Sequence, residues 1–389
     1  MTDIAELINS PEALAQCGAT WTVREIYQQP EMILATQEVV EQHRDALNAF
    51  LTPFVSDPQS RIILAGAGTS AYIGKTLAPM LMAELGRPVE AIATTDLLAA
   101  PRSYLNPDVP TLMISYGRSG NSPESSGAVA VANQFAPGCK HLLITCNPDG
   151  AMNAIGQASS NAHVLLLPEA THDRSFAMTS SFTSMMYATS AAFAPFMKTQ
   201  DQMAKDISVS MRHMLDFDSK AIEIAKRDFN RFVYLGSHGF AGLAQEAALK
   251  MLELTDGCVI STFESSLGFR HGPKTIVTDR TMIVVFVSNN DYTRQYDLDL
   301  IHELLMDDRY GDLLVIAGRK CPDVPDDKVL YVPGAEQHSD LALIYPYIVP
   351  AQLIALHQSL EGEYSPDQPN RTGTVNRVVQ GVRIHPLIR

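Results

Sequence analysis

Residues Ser115–Ser125 read SYGRSGNSPES, between the apolar run TLMI and the helical pattern GAVAVANQFA. Ser122 followed by Pro123 has the form of a helix N-cap with Pro at the first helical position, where a missing N–H costs nothing. Free backbone N–H groups over Ser119–Ser122, the positive end of the helix and the hydroxyls of Ser119 and Ser122 make a cradle for a dianionic phosphate. Gly117 and Gly120 would allow its close approach. A second turn, GAGTSAYIG at Gly66–Gly74, offers Thr69 and Ser70 as a facing wall. Turn geometry and capping account for either turn alone equally well. Further along, Glu246, Lys250 and Glu253 are spaced i, i+4 and i+7, which puts all three on one helix face, with Leu243, Ala247, Met251 and Leu254 on another. Glu before Lys at i+4 is also a common surface pair worth about 0.2–0.5 kcal/mol, and from these residues alone the surface pair is the preferred reading. His271 stands in GFRHGPK between Arg270 and Lys274, where Pro273 disfavours helix; a basic loop in an acidic chain points to an anionic partner.

These groups need elements to hold them, and an internal repeat supplies the plan. RIILAG from Arg61 and RFVYLG from Arg231 each precede a Gly-bearing turn and an Ala/Leu-rich helical stretch, and fifty residues on come TLMIS at Thr111 and TMIVVFVS at Thr281. HLLITCN and HVLLLP then match DLLVIAG and KVLYVPG. Short apolar strands alternating with helices predict a doubly wound α/β fold with a parallel sheet, built twice. The expected divisions are a helical lead-in over 1–40, a first domain over 41–215, a second over 216–364 and a tail over 365–389. Thr22 and Glu25 have capping-box spacing within the lead-in. In open α/β sheets ligands lie beyond the carboxyl ends of the strands, which is where both hydroxyl-rich turns fall. The second copy has GSHGFAG and SNNDYTRQYD at these places, bulkier and more charged, so no second phosphate cradle is expected.

Charge and composition narrow the partners. A net charge of -14 over 389 residues argues against nucleic acid and anionic membranes. No basic start with an apolar core opens the chain, and no run comes near about 20 apolar residues, so a soluble, cytoplasmic protein is expected. Five scattered cysteines without a C-x-x-C indicate neither a disulfide framework nor a zinc site. GAGTSA also satisfies the dinucleotide pattern G-x-G-x-x-A, but the acidic residue wanted about 20 positions on is Asp96, 28 after Gly68.

In combination and in this order, the GTS turn at Gly68–Ser70, the SGNS turn at Ser119–Ser122, E-x-x-x-K-x-x-E at Glu246, Lys250 and Glu253, and HGP at His271 resemble the sugar isomerase (SIS) family, particularly the duplicated isomerase half of glucosamine-6-phosphate synthase. GRSGNSPES, THDRSFAMTSS, GFRHGPK, YTRQYDLDL and GTVNRVVQGV extend the resemblance to the AgaS-type galactosamine-6-phosphate deaminase branch over nearly the whole chain. The resemblance implies an amino sugar 6-phosphate substrate, galactosamine 6-phosphate giving tagatose 6-phosphate and ammonia. It places the phosphate on Ser119 and Ser122 with Thr69 and Ser70 nearby, and Thr179 or Ser180 at the sugar. Glu253 becomes the base moving a proton between C1 and C2, His271 opens the ring, and Glu246 and Lys250 position the base or a sugar hydroxyl. In the family that histidine reaches a neighbouring subunit, implying a homodimer or higher homo-oligomer. Two departures stand out. Gly117 replaces the serine that begins the synthase-like phosphate loop, and the C-terminal segment lacks the family's lysine, leaving Asn376 and Arg377 as candidates for its place.

Such a reaction uses one carboxylate on one face of the sugar and needs no metal or cofactor. The first 40 residues are too few for a glutaminase domain, which favours deamination over synthesis. A ketose/aldose isomerase without deamination would use the same residues. A sugar-phosphate sensor behind a basic helix-turn-helix fits poorly, because those 40 residues hold one basic side chain, Arg24, against six acidic ones. A nicotinamide dehydrogenase is the third alternative.

Overall fold

A computed structural model describes residues 10–199, 201, 203–379 and 381–387. The chain divides into two compact units. One comprises Glu31–Asp173, Ser180–Gln202 and Val375–Arg389; the other comprises Met1–Pro30, Arg174–Thr179 and Met203–Thr374.

The first of these is built on strands β1 (Arg61–Ala65), β2 (Val89–Ala91), β3 (Thr111–Gly117), β4 (Lys140–Thr145) and β5 (Ala162–Leu166). All pair in parallel, in the order β2-β1-β3-β4-β5. Every residue of central β3 is buried, as expected of a strand covered on both faces, whereas edge strand β5 is mostly half-buried. Ile63, Met113 and Leu143 of the sheet pack with Ala128, Val129 and Ala132 of helix Pro123–Phe135. Each large aliphatic side chain buried in this way contributes roughly 1.5–3 kcal/mol.

The other unit repeats this order with β6 (Arg231–Gly236), β7 (Ile260–Glu264), β8 (Thr281–Val287), β9 (Asp312–Ala317) and β10 (Val329–Tyr331), arranged β7-β6-β8-β9-β10 and all parallel. The correspondence extends to register, with Arg61 opposite Thr111 in one sheet and Arg231 opposite Thr281 in the other. The molecule is therefore α/β with two parallel five-stranded sheets and a helical N-terminal lead-in.

One sequence expectation fails in this unit. Helix Thr20–Tyr27 starts ahead of Thr22, so Thr22 and Glu25 lie inside it and form no capping box. Asp367 from the C-terminal segment caps it instead, accepting from the N–H groups of Trp21 (3.1 Å) and Thr22 (2.7 Å) and from the Thr22 hydroxyl (2.8 Å). Glu25 is buried and accepts from the N–H groups of Arg174 and Ser175. Helix Asp340–Glu361 is long and apolar enough by composition to cross a membrane, although the sequence shows no run of about 20 apolar residues. It serves as a core helix, with 94% of its apolar window buried, and it packs against helices Thr20–Tyr27, Ala204–Leu215, Asp218–Ala225 and Gly239–Leu254. Residues 365–379 and 381–387 hold no helix or strand.

Candidate active site

In the unit of the first sheet, neighbouring strands β1 and β3 open into the two hydroxyl-rich turns at the carboxyl edge. Helix Thr69–Leu85 begins straight after Gly68, which adopts φ 57°, ψ -131°, a conformation suited to glycine. Its first residues, Thr69 and Ser70, are both buried. After β3, Ser122 caps helix Pro123–Phe135, its Oγ accepting from the Ser125 N–H at 3.3 Å and lying 2.7 Å from Ser125 Oγ. Ser119 Oγ accepts from the Asn121 N–H at 3.3 Å. Turn geometry thus engages both hydroxyls as acceptors, and a hydroxyl that accepts keeps its own O–H to donate. A Cβ at Gly117 would stand 2.5 Å from Met152 Sδ, so a serine there would require the Met152 side chain to shift. Asp96, the alternative dinucleotide acid, lies on the exposed face of helix Thr94–Ala99, beyond the end of β2.

Sequence reasoning passed over two residues of this unit. Arg118, inside the cradle loop, is only 6% exposed and donates to the carbonyl of Arg377 at 3.0 Å. A lone cation in a hydroxyl-rich loop of an acidic chain was the available signal. Asp173, fully buried, accepts from the hydroxyl of Ser180 and from the N–H (2.9 Å) and hydroxyl (2.6 Å) of Ser181 at the head of helix Ser180–Phe193. Ser180 is thus engaged by Asp173. Arg377 donates to the Asp173 carbonyl, while Asn376 is exposed. Burial in this neighbourhood pushes the Cys146 thiol up to about 12, against the opposing pull of the Thr171 hydrogen bond and Arg118. Thr179, assigned to the other unit, is fully buried.

In the unit of the second sheet, helix Gly239–Leu254 follows β6 and brings Glu246, Lys250 and Glu253 together. The surface-pair reading is overturned here. Lys250 and Glu246 are completely buried, because this helix is covered by strands β6 and β7 and by helix Asp340–Glu361. Lys250 Nζ lies 3.3 Å from Glu246 Oε1 and donates to Glu253 Oε2, whose side chain keeps 22% exposure. Burial works against the ammonium charge, but Glu246 and Glu253 outweigh it and hold the Lys250 pKa above its ordinary value. The outcome is a fixed cation between two carboxylates, one sealed and one accessible.

His271 is exposed and ends the short turn Gly268–Arg270, ahead of a second turn, Pro273–Ile276. The flanking cations are not a free basic patch, because each is paired with carboxylates of the same unit. Arg270 donates to Glu303 at 2.7 Å, and Lys274 bridges Glu303 and Asp307 on helix Asp291–Asp307. All five cysteines are free, and no group of three or more His, Cys, Asp or Glu residues is arranged to hold a metal among the described residues.

The chain is similar to known proteins of one family. Residues 57–195 match the SIS domain family. The chain is 46% identical, over 97% of its length and 98% of the relative's, to D-galactosamine-6-phosphate deaminase AgaS of Escherichia coli. A relative of the same name from Shewanella sp. (strain ANA-3) is 44% identical over 99% of this chain and 97% of its own. Among solved structures, tagatose-6-phosphate ketose/aldose isomerase from Escherichia coli superposes with a TM-score of 0.88 at 44% identity, covering 94% of this chain and 96% of that one.

Proposed function

Because the chain belongs to the SIS-domain family of AgaS proteins, we propose that it is an enzyme that converts D-galactosamine 6-phosphate and water into D-tagatose 6-phosphate and ammonia. The observation that carries this reading is the 46% identity spanning 98% of a relative named for that deamination. Residues 41–215 and 216–364 act as the two SIS domains, and the working form is a homo-oligomer in the cytoplasm.

Ser119 and Ser122, with Thr69 and Ser70, hold the phosphate through hydroxyls and helix N-terminal N–H groups. Thr179 or Ser180, with Asn376 or Arg377 from the C-terminal segment, contacts the sugar. His271 promotes ring opening, acting at a neighbouring subunit. Glu253 then removes the C2 proton of the open-chain aldehyde, leaving an enolamine, and returns a proton to C1. The resulting C2 imine takes up water and releases ammonia, leaving the ketone. A positioned base of this kind contributes about 10²- to 10⁴-fold, or roughly 3–5 kcal/mol of barrier. Support comes from the buried Lys250, whose ammonium donates to Glu253 Oε2 and so fixes the position of that carboxylate. Glu246 anchors Lys250 from the sealed side.

A second reading is suggested by the similar solved structure titled an isomerase, and it interconverts aldose and ketose 6-phosphates without loss of nitrogen. Incubation with galactosamine 6-phosphate, with ammonia and tagatose 6-phosphate both quantified, separates the two. Equimolar appearance of both products is expected. Turnover of galactose 6-phosphate to tagatose 6-phosphate with no ammonia from the amino sugar would move the assignment to the isomerase.

A further inference from the structure

At the carboxyl edge of the second sheet, the places that correspond to the phosphate turns are filled by the chain's own carboxylates. Asp297, fully buried on helix Asp291–Asp307, accepts from the hydroxyls of Ser237 after β6 (2.5 Å) and Ser266 (2.5 Å) and from the Ser288 N–H after β8 (3.0 Å). Asp340 accepts from the Ser288 hydroxyl (2.5 Å) and the Asn289 N–H (2.7 Å). Hydroxyls and backbone N–H groups therefore converge on carboxyl groups here, at the places where the first unit is expected to hold phosphate. The turn after β6 even repeats the first unit's backbone, with His238 at φ 58°, ψ -131° where Gly68 has φ 57°, ψ -131°. A non-glycine residue in that region is strained and persists only where its surroundings enforce it. Asp297, gripping the adjacent Ser237, is part of that enforcement.

The third donor gives this arrangement a consequence. Ser266 is fully buried, five residues before His271, at the entry to turn Gly268–Arg270. The same helix grips this segment twice more, Glu303 taking Arg270 and Lys274, and Asp307 taking Lys274. Those two anchors are half-exposed, so solvent weakens them; the Asp297–Ser266 bond lies in the interior, where it is rigid.

We infer that Asp297 is a positioning residue for His271: an internal carboxylate, seated where the first unit is expected to receive phosphate, fixes through Ser266 the turn that carries the ring-opening histidine. This rests on the proposed role of His271. Asp297→Asn retains the shape but removes the carboxylate, so the bond to Ser266 loses its charged acceptor and becomes a weaker neutral one. Ser266→Ala cuts only the link to the turn. On the full chain, both substitutions are expected to lower kcat on galactosamine 6-phosphate tenfold or more, with KM changed less than twofold. In a His271→Ala background the same substitutions should cost less than twofold. The imidazole proton NMR signal of His271, assigned by its loss in His271→Ala, should shift in Ser266→Ala. Equal fold losses with and without His271, or an unmoved imidazole signal in Ser266→Ala, would overturn the inference. Should Asp297→Asn fail to fold, Ser266→Ala decides alone. If His271→Ala retains full activity, the role given to His271 fails, while the NMR shift still reports on the coupling itself.

Discussion

Replacing Lys250 by Met tests whether the Glu246–Lys250–Glu253 cluster is the buried assembly described above. Lys250 and Glu246 have no exposed side-chain surface, and their separation is 3.3 Å. Removing the cation leaves Glu246 sealed without its counter-charge, and breaking a buried pair from one side costs about 3–5 kcal/mol. The same substitution in a surface pair at i, i+4 costs only about 0.2–0.5 kcal/mol, so the two cases differ by nearly an order of magnitude. Urea unfolding followed by tryptophan fluorescence is well suited, because Trp21 is the only tryptophan and belongs to the same unit as Lys250. The double variant Lys250→Met with Glu246→Gln removes the stranded charge and should recover about 2 kcal/mol of the loss. A loss below about 1 kcal/mol for Lys250→Met, or no recovery in the double variant, would refute the buried-cluster argument.

Ser122→Ala should reduce stability by about 1 kcal/mol through loss of the N-cap of helix Pro123–Phe135. It should also raise KM for the sugar phosphate more than it lowers kcat, and steady-state kinetics showing a pure kcat effect would count against a phosphate role. His141 is completely buried, and burial, aided by Lys140, lowers its pKa from 6.5 to about 4; its Nε2 faces Asn133 Oδ1 at 3.0 Å. Its stabilising contribution is complete above pH 6.5 and is lost as pH falls toward 4, amounting to about 3 kcal/mol for that shift. Circular-dichroism unfolding at pH 7 and pH 4.5 should show the drop in wild type and a smaller one in His141→Asn. Equal drops would contradict it.

The doubling of the fold was legible because apolar strands buried on both faces leave unbroken runs, and the fifty-residue spacing of Arg61 to Thr111 and Arg231 to Thr281 is the spacing of strands that pair. Ser122–Pro123 was equally legible, since a cap and its proline are local signals. What local signals could not carry was burial. Glu246 and Lys250 have the spacing of a surface pair, and only tertiary cover from β6, β7 and helix Asp340–Glu361 makes them interior. Thr22 and Glu25 had capping-box spacing, but partners 345 and 150 residues away, Asp367 and Ser175, took both side chains. Arg118 went unnoticed for the same reason, as its partner Arg377 lies 259 residues away.

The most direct test of the catalytic account is ammonia release from galactosamine 6-phosphate by wild type and Glu253→Gln at saturating substrate. Loss of a positioned base predicts a fall in kcat of about 10²- to 10⁴-fold with KM little altered. Wild-type kcat in Glu253→Gln would contradict the assignment of Glu253 as the proton-transferring base.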